Sequence, residues 1–304
     1  MLAEALEACA AAYGETILYS NARNRHLLKR IQRIMNRTVR TLQIQLQKGQ
    51  FLPEAFEVSF DVLENLDSLN IALGEKEKMR LRGRIDRVDV GETEDRVYVK
   101  VIDYKSGERR FDLAALYYGL QLQLVVYMNA AVELVQKKYP DKEAVPAAML
   151  YYRMTDPVVE GENLTPEEVN AKILQELKMT GIVNKNDEAV KMLDQTFTDK
   201  SEILPLGRKK DGSYSSSSSV ISEEDMQMIS GYVNQKIRRL GREILDGTIS
   251  VNPCELGADK ACTYCAYKRV CGFSAGTQEY RPRKLEKLAA EEALERMREE
   301  ACEK

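Results

Sequence analysis

The sequence lacks three features that would each define a class of protein. Among its 304 residues there is no apolar run long enough to cross a membrane, which takes about 20 residues. The N-terminus has neither the basic start nor the small-residue cleavage site of a signal peptide, and the ATP-binding motif G-x-x-x-x-G-K-[ST] is missing. The sequence therefore predicts a cytoplasmic protein that carries no ATP-driven motor in this part of the chain.

Histidine and cysteine are both scarce. His26 is the only histidine, and it stands in a segment rich in arginine, so we expect it at the surface rather than at a metal. Six cysteines in a chain of this length, without a secretory signal, argue against a disulfide framework. With 44% hydrophobic and 31% charged residues, the chain can bury one sizeable core with appendages.

Two neighbouring segments carry the residues that point most clearly to chemistry. GRID spans 83–86 and VIDYKSG spans 101–107. The sequence alternates over 79–90 and is rich in β-branched and aromatic residues over 96–104, while GETED at 91–95 has the composition of a turn. We therefore expect two strands joined as a hairpin.

Asp103 and Lys105 lie two residues apart on the second of these strands, so their side chains share one face. Whether Asp86 joins them depends on the strand register, which the sequence leaves open. If it does, two carboxylates offer the hard oxygen ligands that Mg²⁺ prefers, and Lys105 can stabilise charge on a phosphate. The alternative is that these residues form solvated ion pairs of the kind found on surface strands.

A long apolar helix is expected after the hairpin. It spans 112–136 and begins at Asp112, a good N-cap residue. Gln123 and Tyr127 are four residues apart and therefore share one side of it. A strand-like segment follows at 145–154. This order of elements predicts an α/β sheet with a crossover helix.

Three motifs in this order resemble those of the RecB-like branch of the PD-(D/E)xK nucleases, and within it the nuclease domains of the AddB family. The family pattern of G-x-[IV]-D, D-x-K and Q-x-x-x-Y is matched at 83–86, 103–105 and 123–127. The resemblance implies an α/β fold with a PD-(D/E)xK, restriction-endonuclease-like core, helical appendages and a C-terminal cysteine-rich segment.

The resemblance also implies roles for single residues. Mg²⁺ would be bound by two carboxylates and one main-chain carbonyl, those of Asp86, Asp103 and Tyr104. Lys105 would be catalytic, while Gln123 and Tyr127 would support the site and the DNA backbone.

The resemblance implies that the chain would be a Mg²⁺-dependent DNA exonuclease domain of an AddAB-type helicase-nuclease, which processes double-strand breaks for recombinational repair. Its partners would be DNA and an AddA-type subunit. Two alternatives are a different RecB-like exonuclease, such as a CRISPR-associated one, and a non-catalytic fragment that binds DNA or a partner. A CRISPR-associated enzyme would normally lack the insertion at 160–250.

The C-terminal cysteines have the spacing of a metal site. Cys262, Cys265 and Cys271 form C-x2-C-x5-C, with Cys254 eight residues before the first. Such thiols suit Zn²⁺ or an iron-sulfur cluster, and the alternative is that they are buried reduced thiols. The resemblance implies a [4Fe-4S] cluster. Its fourth ligand would be Cys254, Cys9 or a residue upstream of this chain, in which case the cluster would be incomplete or lost.

Seven cations and no acid occur in the predicted helix over 23–40, although the net charge of the chain is −3. This helix could track phosphates, dock an acidic partner or simply be solvated. Glu57, on a short predicted strand, is expected in a structural salt bridge rather than at the metal.

Four segments are expected along the chain within one structural domain overall. They are a basic helical segment at 1–50, the nuclease core at 51–155, an insertion of helices and a hairpin at 156–250, and the cysteine-rich segment with a C-terminal helix at 251–304. Within the insertion, one or two helices are expected over 165–193 with Thr165 as the N-cap, and the C-terminal helix is expected to be amphipathic and acidic over 284–304.

Overall fold

The computed structural model describes residues 1–14, 17–61, 63, 65–273 and 281–302. The chain forms two compact units. The first unit consists of Met1–Ser59, Arg84–Phe111 and Ala131–Glu223, and the second of Phe60–Gly83, Asp112–Ala130 and Glu224–Lys304. Within the described residues, every helix is too short or too polar to cross a bilayer.

In the described part of the chain, five strands follow one another after the N-terminal helices, and strands and helices alternate only over residues 143–256. The strands are β1 (Leu52–Ser59), β2 (Asn70–Ala72), β3 (Lys78–Arg80), β4 (Arg84–Glu92), β5 (Arg96–Lys105), β6 (Glu143–Arg153), β7 (Thr180–Asn184), β8 (Val220–Ile221), β9 (Cys254–Leu256), β10 (Asp259–Lys260) and β11 (Arg283–Lys284). The helices are α1 (Leu2–Ala12), α2 (Ala22–Lys48), α3 (Leu113–Tyr117), α4 (Gln123–Lys138), α5 (Pro166–Glu176), α6 (Asp187–Leu193), α7 (Glu223–Leu245) and α8 (Ala290–Cys302), with a 3-10 helix at Ile17–Tyr19.

A six-stranded sheet organises the first unit, in the order β1-β4-β5-β6-β7-β8. β4 and β5 form an antiparallel hairpin, whereas β5 and β6 are parallel. Parallel neighbours need a crossover connection, and α4 lies in the segment that makes it. The predicted α/β class, the hairpin and the strand over 145–154 are therefore confirmed.

Both faces of the central strands are buried. Tyr98 and Ile102 on β5 and Leu150 and Tyr152 on β6 are at most 1% exposed and belong to one apolar cluster. Val101, which points to the opposite face of β5, is also fully buried. An aliphatic side chain buried to this degree contributes about 1.5–3 kcal/mol to folding. The strands that carry the candidate site are therefore held rigidly from two sides.

The single strand predicted over 79–90 is wrong. β3 ends at Arg80 and β4 begins at Arg84, because the three residues between them bond elsewhere. The Leu81 N–H donates to the Leu69 carbonyl, and the Gly83 carbonyl accepts from the Phe60 N–H. A Cβ at Gly83 would come within 3.2 Å of the Phe60 ring, so glycine allows this close approach.

The single helix predicted over 112–136 is also wrong. Asp112 does cap α3, since its carboxylate accepts from the Ala114 N–H at 2.8 Å. However, Gly119 has a φ of +82°. Glycine adopts this left-handed conformation at little cost, and it ends α3 there. The Gln121 side chain then accepts from the Asp112 N–H at 3.1 Å, which ties the segment before α4 to the start of α3.

Two further predictions are corrected in the C-terminal half. Thr165 caps α5 with Glu168 as a capping box, as predicted, but part of the helical reading over 165–193 forms β7 instead. Short apolar runs do not distinguish a strand from a helix by their periodicity. The helix predicted over 284–304 begins only at Ala290, because β11 occupies Arg283–Lys284. Residues 303–304 lie outside the described residues.

Tyr117 and Tyr232 form the centre of an aromatic cluster in the second unit. Their rings stack with centroids 6.1 Å apart, and the Tyr232 hydroxyl donates to the Tyr117 carbonyl at 2.7 Å. The Lys236 ammonium lies over both rings and 3.7 Å from the Glu300 carboxylate. A hydrogen bond to Glu300 raises the pKa of Tyr117 to about 12, and burial raises the pKa of Tyr232.

These tyrosines predict a loss of stability at alkaline pH. In the folded chain the pKa values of Tyr117 and Tyr232 both lie above the ordinary 10.0. The stability that these tyrosines contribute is therefore fully present below pH 10, and it is lost as the pH rises through their raised pKa values. We expect the thermal midpoint to fall over this range. We also expect tyrosinate absorbance, undisturbed by tryptophan, to appear later than in the unfolded chain.

Glu300→Gln tests the cause of this shift. It should bring the titration of Tyr117 back towards its ordinary range, because the hydrogen bond to a charged carboxylate is lost. The control is Tyr264→Phe, since Tyr264 is 96% exposed and its loss should leave the alkaline transition in place. Identical titrations for Glu300→Gln and the unmodified chain would contradict the assignment.

Candidate active site

The strand register brings the two predicted carboxylates together. β4 and β5 pair with Arg87 opposite Ile102, and one further step of this antiparallel register places Asp86 opposite Asp103. Directly opposed residues project from the same face of a sheet. The Asp86 Oδ2 accepts from the Tyr104 N–H at 2.8 Å, which holds this carboxylate against β5. Asp86, Asp103 and Lys105 therefore share one face.

Asp103 is the buried member of this group, with 2% of its surface exposed. Its Oδ2 lies 2.5 Å from the Lys105 ammonium and has no hydrogen bond of regular geometry within the described residues. Burial raises the pKa of Asp103, the Lys105 charge opposes this shift, and the negative charge of Asp86 adds to it. The pKa of Asp103 is raised overall. The fold thus holds Asp103 beside a second carboxylate, in a buried position where solvent weakens their repulsion only a little.

These residues fit a divalent metal ion. Two neighbouring carboxylates, one of them buried and in contact with a single ammonium group, offer hard oxygen donors and a local excess of negative charge. In the part of the chain that the structure describes, no three histidine, cysteine or acidic side chains are placed to share one ion. Side chains would thus supply two ligands. The remaining positions would be left for a main-chain carbonyl, a phosphate oxygen and water molecules, several of which Mg²⁺ commonly retains.

The opposite face of the same hairpin carries a buried ion network that the sequence analysis missed. Arg87 Nε and Nη2 donate to the two carboxylate oxygens of Asp89 at 2.5 and 2.8 Å, and Lys100 Nζ lies 2.9 Å from Asp89 Oδ2. Asp89 is fully buried, while Arg87 and Lys100 are 3% and 7% exposed. The available signal was R-x-D on one strand and a lysine on the next, inside otherwise apolar runs.

Gln123 and Tyr127 lie on α4 in the second unit. The Gln123 amide donates to the Tyr127 hydroxyl at 2.7 Å, so the predicted sharing of one helix side is confirmed. The Tyr127 ring packs edge-on against Phe60 with centroids 5.7 Å apart. The hydrogen bond fixes the orientation of both polar groups. Their predicted support of the catalytic residues stays a prediction.

The cysteines do not form a ligand group. The five with described side chains, Cys9, Cys254, Cys262, Cys265 and Cys271, are free thiols, and no three of them meet in the described residues. Cys254 and Cys262 are half-buried and the other three exposed, so the idea of buried reduced thiols is not supported either. The thiols of the predicted C-x2-C-x5-C site are therefore present, but in the described residues they are not close enough together to bind a cluster.

Ion pairs engage Glu57 and two arginines of the basic segment over 23–40. Arg33 and Arg37 on α2 lie 3.2 and 3.3 Å from the Asp156 carboxylate. Glu57 lies 2.7 Å from Arg84, which confirms its interpretation as a salt bridge. His26 is exposed, as predicted.

Fold and site together define a class of protein. A mixed sheet with a hairpin and a parallel crossover strand, bearing two opposed carboxylates and a lysine at the strand ends, is the arrangement of a metal-dependent nuclease. The chain belongs to the PD-(D/E)XK nuclease superfamily, whose family model matches residues 1–272.

Several relatives carry the name of an ATP-dependent helicase/deoxyribonuclease subunit. The protein of Lachnoclostridium phytofermentans is 38% identical over 297 residues, which cover 95% of this chain and 24% of the relative. For Alkaliphilus oremlandii the identity is 37% over 284 residues, covering 93% and 25%. For Clostridium tetani it is 36% over 286 residues, covering 94% and 25%. The chain therefore spans about a quarter of the length of these relatives.

Proposed function

We propose that this chain is the Mg²⁺-dependent DNA-cleaving domain of an AddAB-type helicase-nuclease that acts in recombinational repair of double-strand breaks. The observation that carries the proposal is the alignment of Asp86 opposite Asp103, with Lys105 on the same face. The name that the relatives carry, helicase/deoxyribonuclease subunit, supports DNA as the substrate and a helicase as the context. The cleavage that we propose is exonucleolytic, so nucleotides would be removed from a DNA end.

Asp86, Asp103 and the Tyr104 carbonyl would hold the metal ion. When bound, Mg²⁺ supplies Lewis-acid polarisation of the scissile phosphate and lowers the pKa of water. The Tyr104 N–H keeps the Asp86 carboxylate oriented. Lys105, which lies beside Asp103, would help to position the attacking water and stabilise the negative charge that develops on the phosphate. Gln123 and Tyr127 would support the site and position the DNA backbone.

The partners and remaining cofactor belong to the same proposal. An AddA-type subunit would supply ATP-driven unwinding, and work on chromosomal DNA would place the complex in the bacterial cytoplasm. The C-x2-C-x5-C spacing supports a [4Fe-4S] cluster whose fourth ligand would be Cys254, Cys9 or a residue upstream, and which is incomplete or lost in this chain if that ligand is missing. The cluster would take no part in the cleavage reaction.

Metal-dependent cleavage of end-labelled single-stranded DNA tests the proposed function. In Mg²⁺ we expect shortened products that carry a 5′-phosphate, because the attack is on phosphorus with the 3′-oxygen as leaving group. EDTA should stop the reaction, and renewed Mg²⁺ should restore it. Cleavage that is equally fast in EDTA, or no cleavage at any Mg²⁺ concentration, would contradict the proposal for this chain.

A further inference from the structure

A cavity of about 670 Å³ opens beside Lys105, entirely within the first unit. Its walls come from four separate segments. They are the residues that follow β5, the end of β6, the end of α5 with the start of β7, and the loop before β8, at 105–110, 151–153, 175–180 and 199–217. The loop contributes Ser215 and Ser217, which belong to a run of five serines at 215–219 that has no part in the candidate active site.

The cavity wall is strongly basic. Seven lysine or arginine side chains line it, against three acidic ones. Arg153 is the neighbour of Lys105 in the parallel register of β5 and β6, so the two cations end adjacent strands on the same face. The positive surface thus begins at the candidate catalytic lysine and continues into the cavity.

Several of these cations have no acidic partner. Arg208 pairs with Asp187, and Arg110 pairs with Glu108. By contrast, Arg153 and Lys200 form no ion pair with any residue that the structure describes, and Arg109 is near enough to Asp103 for its charge to lower the pKa of that carboxyl without forming an ion pair with it. Arg109, Arg153 and Lys200 are each exposed at the cavity wall.

Lys178 shows that the cations of the wall affect one another. Its ammonium donates to the Ser201 carbonyl at 2.5 Å in a half-buried position. Burial lowers the pKa of Lys178, and the positive charge of Lys200 lowers it further. An anion between these side chains would relieve both the repulsion and the incomplete solvation.

We propose that this cavity binds consecutive phosphates of a single DNA strand next to the scissile bond, with Arg153 and Lys200 as contacts that do not take part in the chemistry. The inference rests on the proposed function and names the path of its substrate. Unpaired cations spaced along one wall suit a polyanion, since each can neutralise a phosphate. The volume lies in the range of small-ligand pockets, about 300–1,000 Å³, so it suits a few linked nucleotides rather than a duplex.

Binding of fluorescent single-stranded oligothymidine, measured by anisotropy in EDTA, tests this site separately from cleavage. Arg153→Ala combined with Lys200→Ala should weaken binding about tenfold at low salt. It should also reduce the slope of log affinity against log salt by roughly 1.4, since each phosphate contact on a single strand contributes about 0.7. Arg153→Lys combined with Lys200→Arg should retain most of the affinity, because charge is preserved.

The matched control is Lys185→Ala with Lys191→Ala. These two exposed lysines lie in the same unit, do not line the cavity, and form no ion pair with a described residue. Their loss should leave the salt slope unchanged. An unchanged slope for the Arg153 and Lys200 variant, or equal weakening by the control, would overturn the proposal even if cleavage is observed. Equal weakening on a blunt duplex would overturn the single-strand assignment.

DNA binding in EDTA and DNA cleavage in Mg²⁺ are independent results. If the chain does not cleave DNA but the Arg153 and Lys200 variant still loses affinity and salt slope, the binding site stands and the nuclease assignment falls. If the unmodified chain does not bind the oligonucleotide in EDTA, the binding proposal itself is wrong.

Discussion

Asp103→Asn is expected to reduce DNA cleavage by at least ~10²–10³-fold while leaving the fold no less stable. Asparagine keeps the shape of the side chain but removes the negative charge that lies beside Asp86 and would bind the proposed metal ion. In the folded chain this carboxylate is buried and its pKa is raised, so its ionised form is disfavoured by the fold. Neutralising it should therefore leave the thermal midpoint, measured without metal, unchanged or slightly higher.

The control for Asp103→Asn is Asp95→Asn on the exposed turn of the same hairpin, which should retain full cleavage. Initial rates on end-labelled single-stranded DNA and thermal midpoints are measured for both variants. Unreduced cleavage by Asp103→Asn would place the chemistry elsewhere. A loss of cleavage accompanied by a lower midpoint would mean that the residue stabilises the fold instead.

Asp89→Asn is expected to destabilise the first unit by about 3–5 kcal/mol, because it leaves Arg87 and Lys100 buried without their shared counter-ion. Folded domains commonly have only about 5–15 kcal/mol of stability in total, so the loss should be severe. The variant should unfold at a much lower urea concentration, measured by circular dichroism. It could also fail to accumulate as a folded protein, which is the extreme form of the same result.

Glu57→Gln is the matched control for Asp89→Asn. It also exchanges a carboxylate for an amide and also breaks an ion pair, but the side chains of Glu57 and Arg84 are 58% and 62% exposed. Solvated pairs of this kind contribute about 0–1 kcal/mol, so the urea midpoint should barely move. Equal midpoints for the two variants would show that the buried ions do not depend on Asp89.

The sequence predicted the local parts of this site and fold well. Alternation and composition were enough for the β4–β5 hairpin, because strand preference is a property of neighbouring residues. The placement of Asp103 and Lys105 on one face follows from the two-residue period of any strand. Thr165 was recognised as a cap because a capping box needs only four consecutive residues.

What the sequence did not predict depends on contacts between distant residues. Whether Asp86 faces Asp103 depends on the register between β4 and β5, and the alternation within each strand does not determine that register. The end of α3 at Gly119 was missed because an isolated glycine is also tolerated inside helices. The basic cavity is lined by residues that are as far apart in the sequence as Lys105 and Ser217, so no local sequence pattern predicts it.

The buried ion network has a further consequence for how the hairpin pairs. A slip of one residue between β4 and β5 would turn every side chain of the slipped strand to the other face of the sheet. Backbone hydrogen bonds alone tolerate such errors, but Lys100 would then lose its contact with Asp89, the carboxylate that it shares with Arg87. Mispaired hairpins are thereby disfavoured. Charges buried on one side of the hairpin thus act as an alignment key for the two carboxylates on the other.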